Sequence, residues 1–157
     1  MSFGGGSGTS SIVGSTDVVL NSPANNQVLG YNSGTAKWQN QSTSRTFLFS
    51  ADGVQSITTG MHRVYNDTGQ TLTINSVRAS VGTAPTGAAL MVDVRKNGST
   101  IFTTRPNRAT VAVGTFTGLS ATPDIASWAV GAYLTVDVDQ VGSTVAGADL
   151  TVQVVAS

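Results

Sequence analysis

Leu90, Val92 and Val94 alternate with Met91, Asp93 and Arg95, and Leu134, Val136 and Val138 alternate with Thr135, Asp137 and Asp139. A period of two puts every second side chain on one face of an extended strand, so each segment is predicted to turn its aliphatic set inward and its Asp and Arg residues outward. A slip of one residue would bury the aspartates, which pins the register. The same period predicts strands near residues 44–50, 60–66, 70–80, 88–96, 99–104, 109–117, 132–141 and 148–156. Turn-forming runs separate them at Asn66–Gly69, Gly82–Gly87, Lys96–Ser99 and Gly142–Gly147. Asn97-Gly98 suits a type I′ hairpin turn joining Val92–Arg95 to Ile101–Phe102.

About eight short strands at this spacing predict an all-β fold, an antiparallel sandwich or barrel, over 44–157. The only segment competing for a helix is one short turn at Pro123–Val130, begun by Thr122 or Asp124. No βαβ alternation exists to build a nucleotide-binding sheet.

Upstream, the chain changes character. Residues 1–14 are Gly/Ser-rich and read as a flexible arm. It is either a solvated tail or a segment that orders across a neighbouring subunit, with Phe3, Ile12 and Val13 as anchors. Residues 15–43 form a hairpin module: a strand at Val18–Leu20, a turn through Ser22, Pro23, Ala24, Asn25 and Asn26, and a strand from Gln27 to Tyr31. A second turn, in which Gly34 is expected to supply positive φ, leads to Trp38. A hairpin of this size is not stable alone, so its apolar residues need a partner surface. Tyr31 and Trp38 are the natural anchors.

Of the 157 residues only 10% are charged, with 8 Lys/Arg against 8 acidic residues and a net charge of zero. That leaves no electrostatic excess for nucleic acid or an anionic membrane, and burying such a surface against another copy desolvates few ions. Cysteine is absent, which excludes disulfides and thiolate metal sites. Residues 1–14 carry no Lys or Arg, and the longest apolar run, Ala88–Val92, has five residues; neither a signal peptide nor a membrane span is expected.

Catalysis finds little to work with. His62 is the one histidine and sits in a predicted strand, where a surface or interface role is expected. Asp137 and Asp139 share a strand face, and ordinary cross-strand pairing with Arg78 or Arg95 accounts for them. With Asp93 and Asp149 they are the set to weigh for Ca²⁺, but the spacing lacks an EF-hand loop, and no metal or cofactor is expected. Arg105 and Arg108 flank Pro106-Asn107 in a predicted loop, either solvated or paired with carboxylates of another subunit. The expectation is a binding protein with no enzymatic activity.

The run Asp17-Val18-Val19-Leu20, then Pro23, Gln27-Val28-Leu29, Tyr31 and Trp38, resembles a short module of tailed-bacteriophage virion proteins, found in tail fibres and in head fibre or decoration proteins. Val77–Gly87, Val92–Gly98 and Leu134–Ser143 resemble β domains of the same proteins. The resemblance implies a jelly-roll-like sandwich, commonly a homotrimer, displayed outward from the virion. It makes Asp17, Val19, Leu20, Pro23, Gln27, Val28, Leu29, Tyr31 and Trp38 attachment residues, with the major capsid protein as partner. The short chain fits a head decoration protein better than a tail fibre. The alternative is a tail-tip protein that binds a host surface glycan through Tyr133, Trp128 and Arg108.

Overall fold

The computed structural model describes residues 16–24 and 27–157. Phe3, Ile12 and Val13 lie outside the described residues, as do Asn25 and Asn26 of the first turn. The chain divides into two compact units, Met1–Thr43 and Ser44–Ser157.

In the first unit, β1 (Val18–Val19), β2 (Val28–Asn32) and β3 (Lys37–Gln41) form a sheet in the order β1-β3-β2. This corrects the expected hairpin: Trp38 lies in a third strand, and β1 pairs with it in parallel, Val18 beside Trp38. The β2–β3 turn is held by the Asn32 side chain, whose Oδ1 accepts from the N–H groups of Gly34 (2.9 Å) and Thr35 (3.3 Å). Positive φ falls at Ala36 (52°), not at Gly34: the Asn32 bonds shape the turn's start, so the left-handed step comes at its end. Asn40 ties the strands together, exchanging bonds with the Asn21 backbone at 2.8 and 2.9 Å and donating to Gln27 Oε1.

The second unit is a sandwich of two antiparallel sheets. Its strands are β4 (Arg45–Val54), β5 (Thr58–Tyr65), β6 (Leu72–Ser80), β7 (Leu90–Lys96), β8 (Ser99–Thr100), β9 (Ala109–Val111), β10 (Thr117–Leu119), β11 (Ser127–Trp128), β12 (Tyr133–Gln140) and β13 (Ala148–Ala156). One sheet runs β10-β6-β13-β4, with β11 also on β6; the other runs β5-β12-β7-β8, with β9 also on β7. The pairing is nested: β4 with β13, β5 with β12, β6 with β10 and β11, β7 with β8 and β9. A long hairpin wrapped around itself gives this order, which makes the unit a jelly roll.

The alternation places the core as the sequence predicts. Leu90, Val92, Val94, Leu134, Val136 and Val138 meet Leu72, Ile74, Val77, Ala79, Leu150, Val152 and Val154 from the facing sheet. Trp128 and Phe102 are fully buried among them. Asn97 and Gly98 both have positive φ between the paired residues Lys96 and Ser99, the two-residue type I′ turn.

Two predicted elements differ. The strand expected over 109–117 is two strands in opposite sheets, because Gly114 (φ 73°) turns the chain between Val111 and Thr117. At Pro123–Val130 there is no helical turn; Ser127 and Trp128 instead pair with Thr73 and Leu72. The one helical segment among the described residues is a 3-10 turn, Arg105–Asn107, where Pro106 fixes φ after the two-residue strand β8.

Candidate functional site

In the first unit, register decides which side chains share a face. Val18 and Tyr31 both lie beside Trp38, and Leu29 lies beside Asn40 two residues along β3. These pairings put Val18, Leu29, Tyr31 and Trp38 on one side of the sheet, with Val19 and Val28 on the other. Tyr31 and Trp38 meet edge to face at 5.5 Å, and both stay exposed, at 54% and 42%. A three-stranded sheet displaying two aromatics and a leucine is a surface suited to burial against a partner. The other attachment candidates are placed differently. Gln27 Oε1 accepts from Ala24 N–H at 2.9 Å and so braces its own turn, beside exposed Pro23. Asp17 lends its carbonyl to Trp38 N–H at 2.8 Å, and Leu20 is half-buried after β1.

In the second unit, charge gathers on the outer face of the β5-β12-β7 sheet. Asp137 stands directly opposite Asp93, and Arg95 opposite Thr135 and Thr100. The aspartates point away from the core as predicted, but they are not exposed: Asp93 and Asp137 are fully buried and Asp139 is half-buried. The long stems and heads of Arg95 and Arg108 lie over them. Arg95 pairs with Asp137, and Arg108 bridges Asp93 (3.3 Å) and Asp139. Thr100 Oγ1 donates to Asp93 Oδ1 at 2.8 Å, and Gly60 N–H donates to Asp137 Oδ1 at 2.7 Å.

Two carboxylates facing each other across a ladder repel, so the two guanidinium groups are what make this arrangement tolerable. Burial pushes the Asp93 carboxyl above its ordinary value; the Thr100 bond and Arg108 oppose the shift, while Asp139 adds to it. Its Oδ2 and Arg108 Nε have no hydrogen-bond partner, so the Asp93–Arg108 contact is the looser joint of the network.

These placements correct several expectations. Arg108, expected in a loop that is solvated or faces another subunit, pairs with Asp93 and Asp139 of its own chain; Arg105 is exposed on the 3-10 turn. Arg78 lies on the other sheet and donates to Thr117 Oγ1, so of the two predicted partners Arg95 is the one that pairs. Asp149 also belongs to the other sheet, where it accepts from Gly53 N–H at 2.8 Å, apart from Asp93, Asp137 and Asp139. The remaining three are engaged by guanidinium groups, and no cluster of metal-ligating side chains exists among the described residues.

Of the three glycan contacts, Trp128 is fully buried, its Nε1–H donating to Ala132 O at 2.9 Å and its ring against Phe47 at 4.7 Å. Arg108 is half-buried over its two aspartates, and Tyr133 is half-buried at the rim of open space. It lines a shallow cleft of about 390 Å³ with Thr59, Gly60, Arg63, Arg95, Gly98, Thr135 and Asp137. The Arg63 guanidinium lies 4.2 Å over the Tyr133 ring, and Tyr65 flanks the same ring at 5.6 Å. Strand β5 is bulged here, with Gly60 and His62 both left-handed, which re-aims Gly60 N–H at Asp137. Arg63 and Tyr65 escaped sequence reasoning, although their i, i+2 spacing already put them on one strand face.

No protein-family model matches this chain, and no curated protein matches it. Among solved structures, the chain is similar to one in the structure of infectious bursal disease virus Gx strain, at 14% identity and a TM-score of 0.36. The match covers 82% of this chain and 36% of that one, so this chain spans about a third of its neighbour's length.

Proposed function

We propose that the chain is a non-enzymatic structural subunit of a tailed-phage virion, attached to the outer capsid surface through residues 1–41, with the jelly roll displayed outward as a homotrimer. The observation that carries the reading is the exposed Leu29–Tyr31–Trp38 face, which falls within the very segment that resembles the virion module. Its mechanism is cementing: a subunit that binds the assembled shell and not the dissociated proteins stabilises the shell by mass action.

Trimer formation draws support from the outer face of the β4-β13-β6-β10 sheet. Leu48, Gln153, Arg78 and Leu119 form one row across it, and Ser50, Thr151, Ser80 and Thr117 the next, so of these eight residues only Arg78 brings a charge to the contact.

Rebinding tests the attachment. The purified chain should bind capsids stripped of it and restore their resistance to heat and low salt, while Tyr31→Ala/Trp38→Ala should fail to bind. Equal binding by the double variant would remove the aromatic face from the mechanism. Full resistance of stripped particles would remove cementing.

A further inference from the structure

The cleft between β5, β12 and the Asn97-Gly98 turn is rich in donors and short of acceptors. Its one carboxylate, Asp137, is already spent: Oδ1 accepts from Gly60 N–H and Oδ2 from Arg95 Nε. Arg95 has a further nitrogen on Gly98 O at 3.1 Å, which fixes the plane of its guanidinium. Arg63 is exposed and pairs with no carboxylate among the described residues; the Tyr133 ring holds it. Asp93 and Asp139 are not among the lining residues, so the lining carries two guanidinium groups against one carboxylate.

Two guanidinium groups in one lining, one held on an aromatic face and one by its own ion pair, suit a planar oxyanion. The hydroxyls of Thr59, Thr135 and Tyr133 in the same lining suit a hydroxylated ligand. A volume of about 390 Å³ accommodates a sugar-sized molecule. We propose that this cleft binds a carboxylate carried on a saccharide, a uronic-acid type of sugar, with Arg63 as the principal carboxylate contact. The site stands independently of where on a particle the chain resides and of how it attaches.

The test is titration of the full chain with galacturonic acid, galactose, acetate and inorganic phosphate, followed by amide resonances and by calorimetry. Galacturonic acid should shift the Gly60, Gly98 and Thr135 amides, and Arg63→Ala, a surface change, should weaken it roughly tenfold or more. Galactose, acetate and phosphate should each bind more weakly than galacturonic acid. Galactose or acetate binding as well would overturn the acidic-sugar assignment, as would phosphate. Unmoved Gly60 and Gly98 amides, or an Arg63→Ala protein that binds like the parent, would overturn the site itself.

Discussion

Asp93 and Asp124 carry the same functional group, and their surroundings shift it in opposite directions. Burial raises Asp93 above 3.8, so its contribution to stability is fully present where it is protonated in both states and is lost as pH rises through the folded value. Asp124 accepts from both the hydroxyl and the N–H of Thr103 at 2.8 Å, which lowers it; its contribution is present above the unfolded value and lost as pH falls through the folded one. Urea midpoints measured from pH 7 down to pH 3 should therefore separate two variants. Asp93→Asn should gain on the parent as pH rises above the ordinary carboxylate range, whereas Asp124→Asn should lose its disadvantage as the solution becomes acid. A parallel pH profile for the parent and Asp93→Asn would show that Arg108 cancels the burial.

Trp128 tests the core at the same scale. Truncation to Ala removes a fully buried ring and one of the two donors to Ala132 O, Asn66 N–H being the other, so urea denaturation should register a loss of about 3–5 kcal/mol. Reading Trp128 as an exposed glycan contact failed for a physical reason. Its segment, Ala126 to Val130, has no long alternation, and what buries it is pairing with β6, more than fifty residues upstream.

At the scale of elements, the strongest alternations were legible and the joints between them were not. Strands β7 and β12 follow from Leu90–Arg95 and Leu134–Asp139 because each has one aliphatic face and a register that the aspartates fix. The stretch 109–117 reads through Gly114 as one strand, since composition does not say that Val111 and Thr117 belong to different sheets. Nor does the sequence show that Arg108 reaches both Asp93 and Asp139, or that β1 joins β3 in parallel; both depend on distant segments meeting. The crossing of β9 and β10 is itself testable. A Cβ on Gly118 would stand 1.8 Å from Thr110 O, so Gly118→Ala should force the two strands apart. Its cost should exceed the typical 1–3 kcal/mol of overpacking, seen as a much lower urea midpoint. A midpoint within the error of the parent would mean that β10 can move away freely.

At the scale of the whole molecule, the charged residues of the jelly roll favour one sheet's outer face and leave the other close to neutral. Self-association through the neutral face predicts a sedimenting mass of three chains, reduced towards one by Leu48→Asp. Persistent monomers at high concentration would contradict the trimer while leaving capsid attachment open.

The direct test of the central claim is the number of copies in purified virions, measured by quantitative mass spectrometry against the major capsid protein. A subunit that coats the shell should be present in hundreds of copies per particle. A handful of copies, or none, would contradict it.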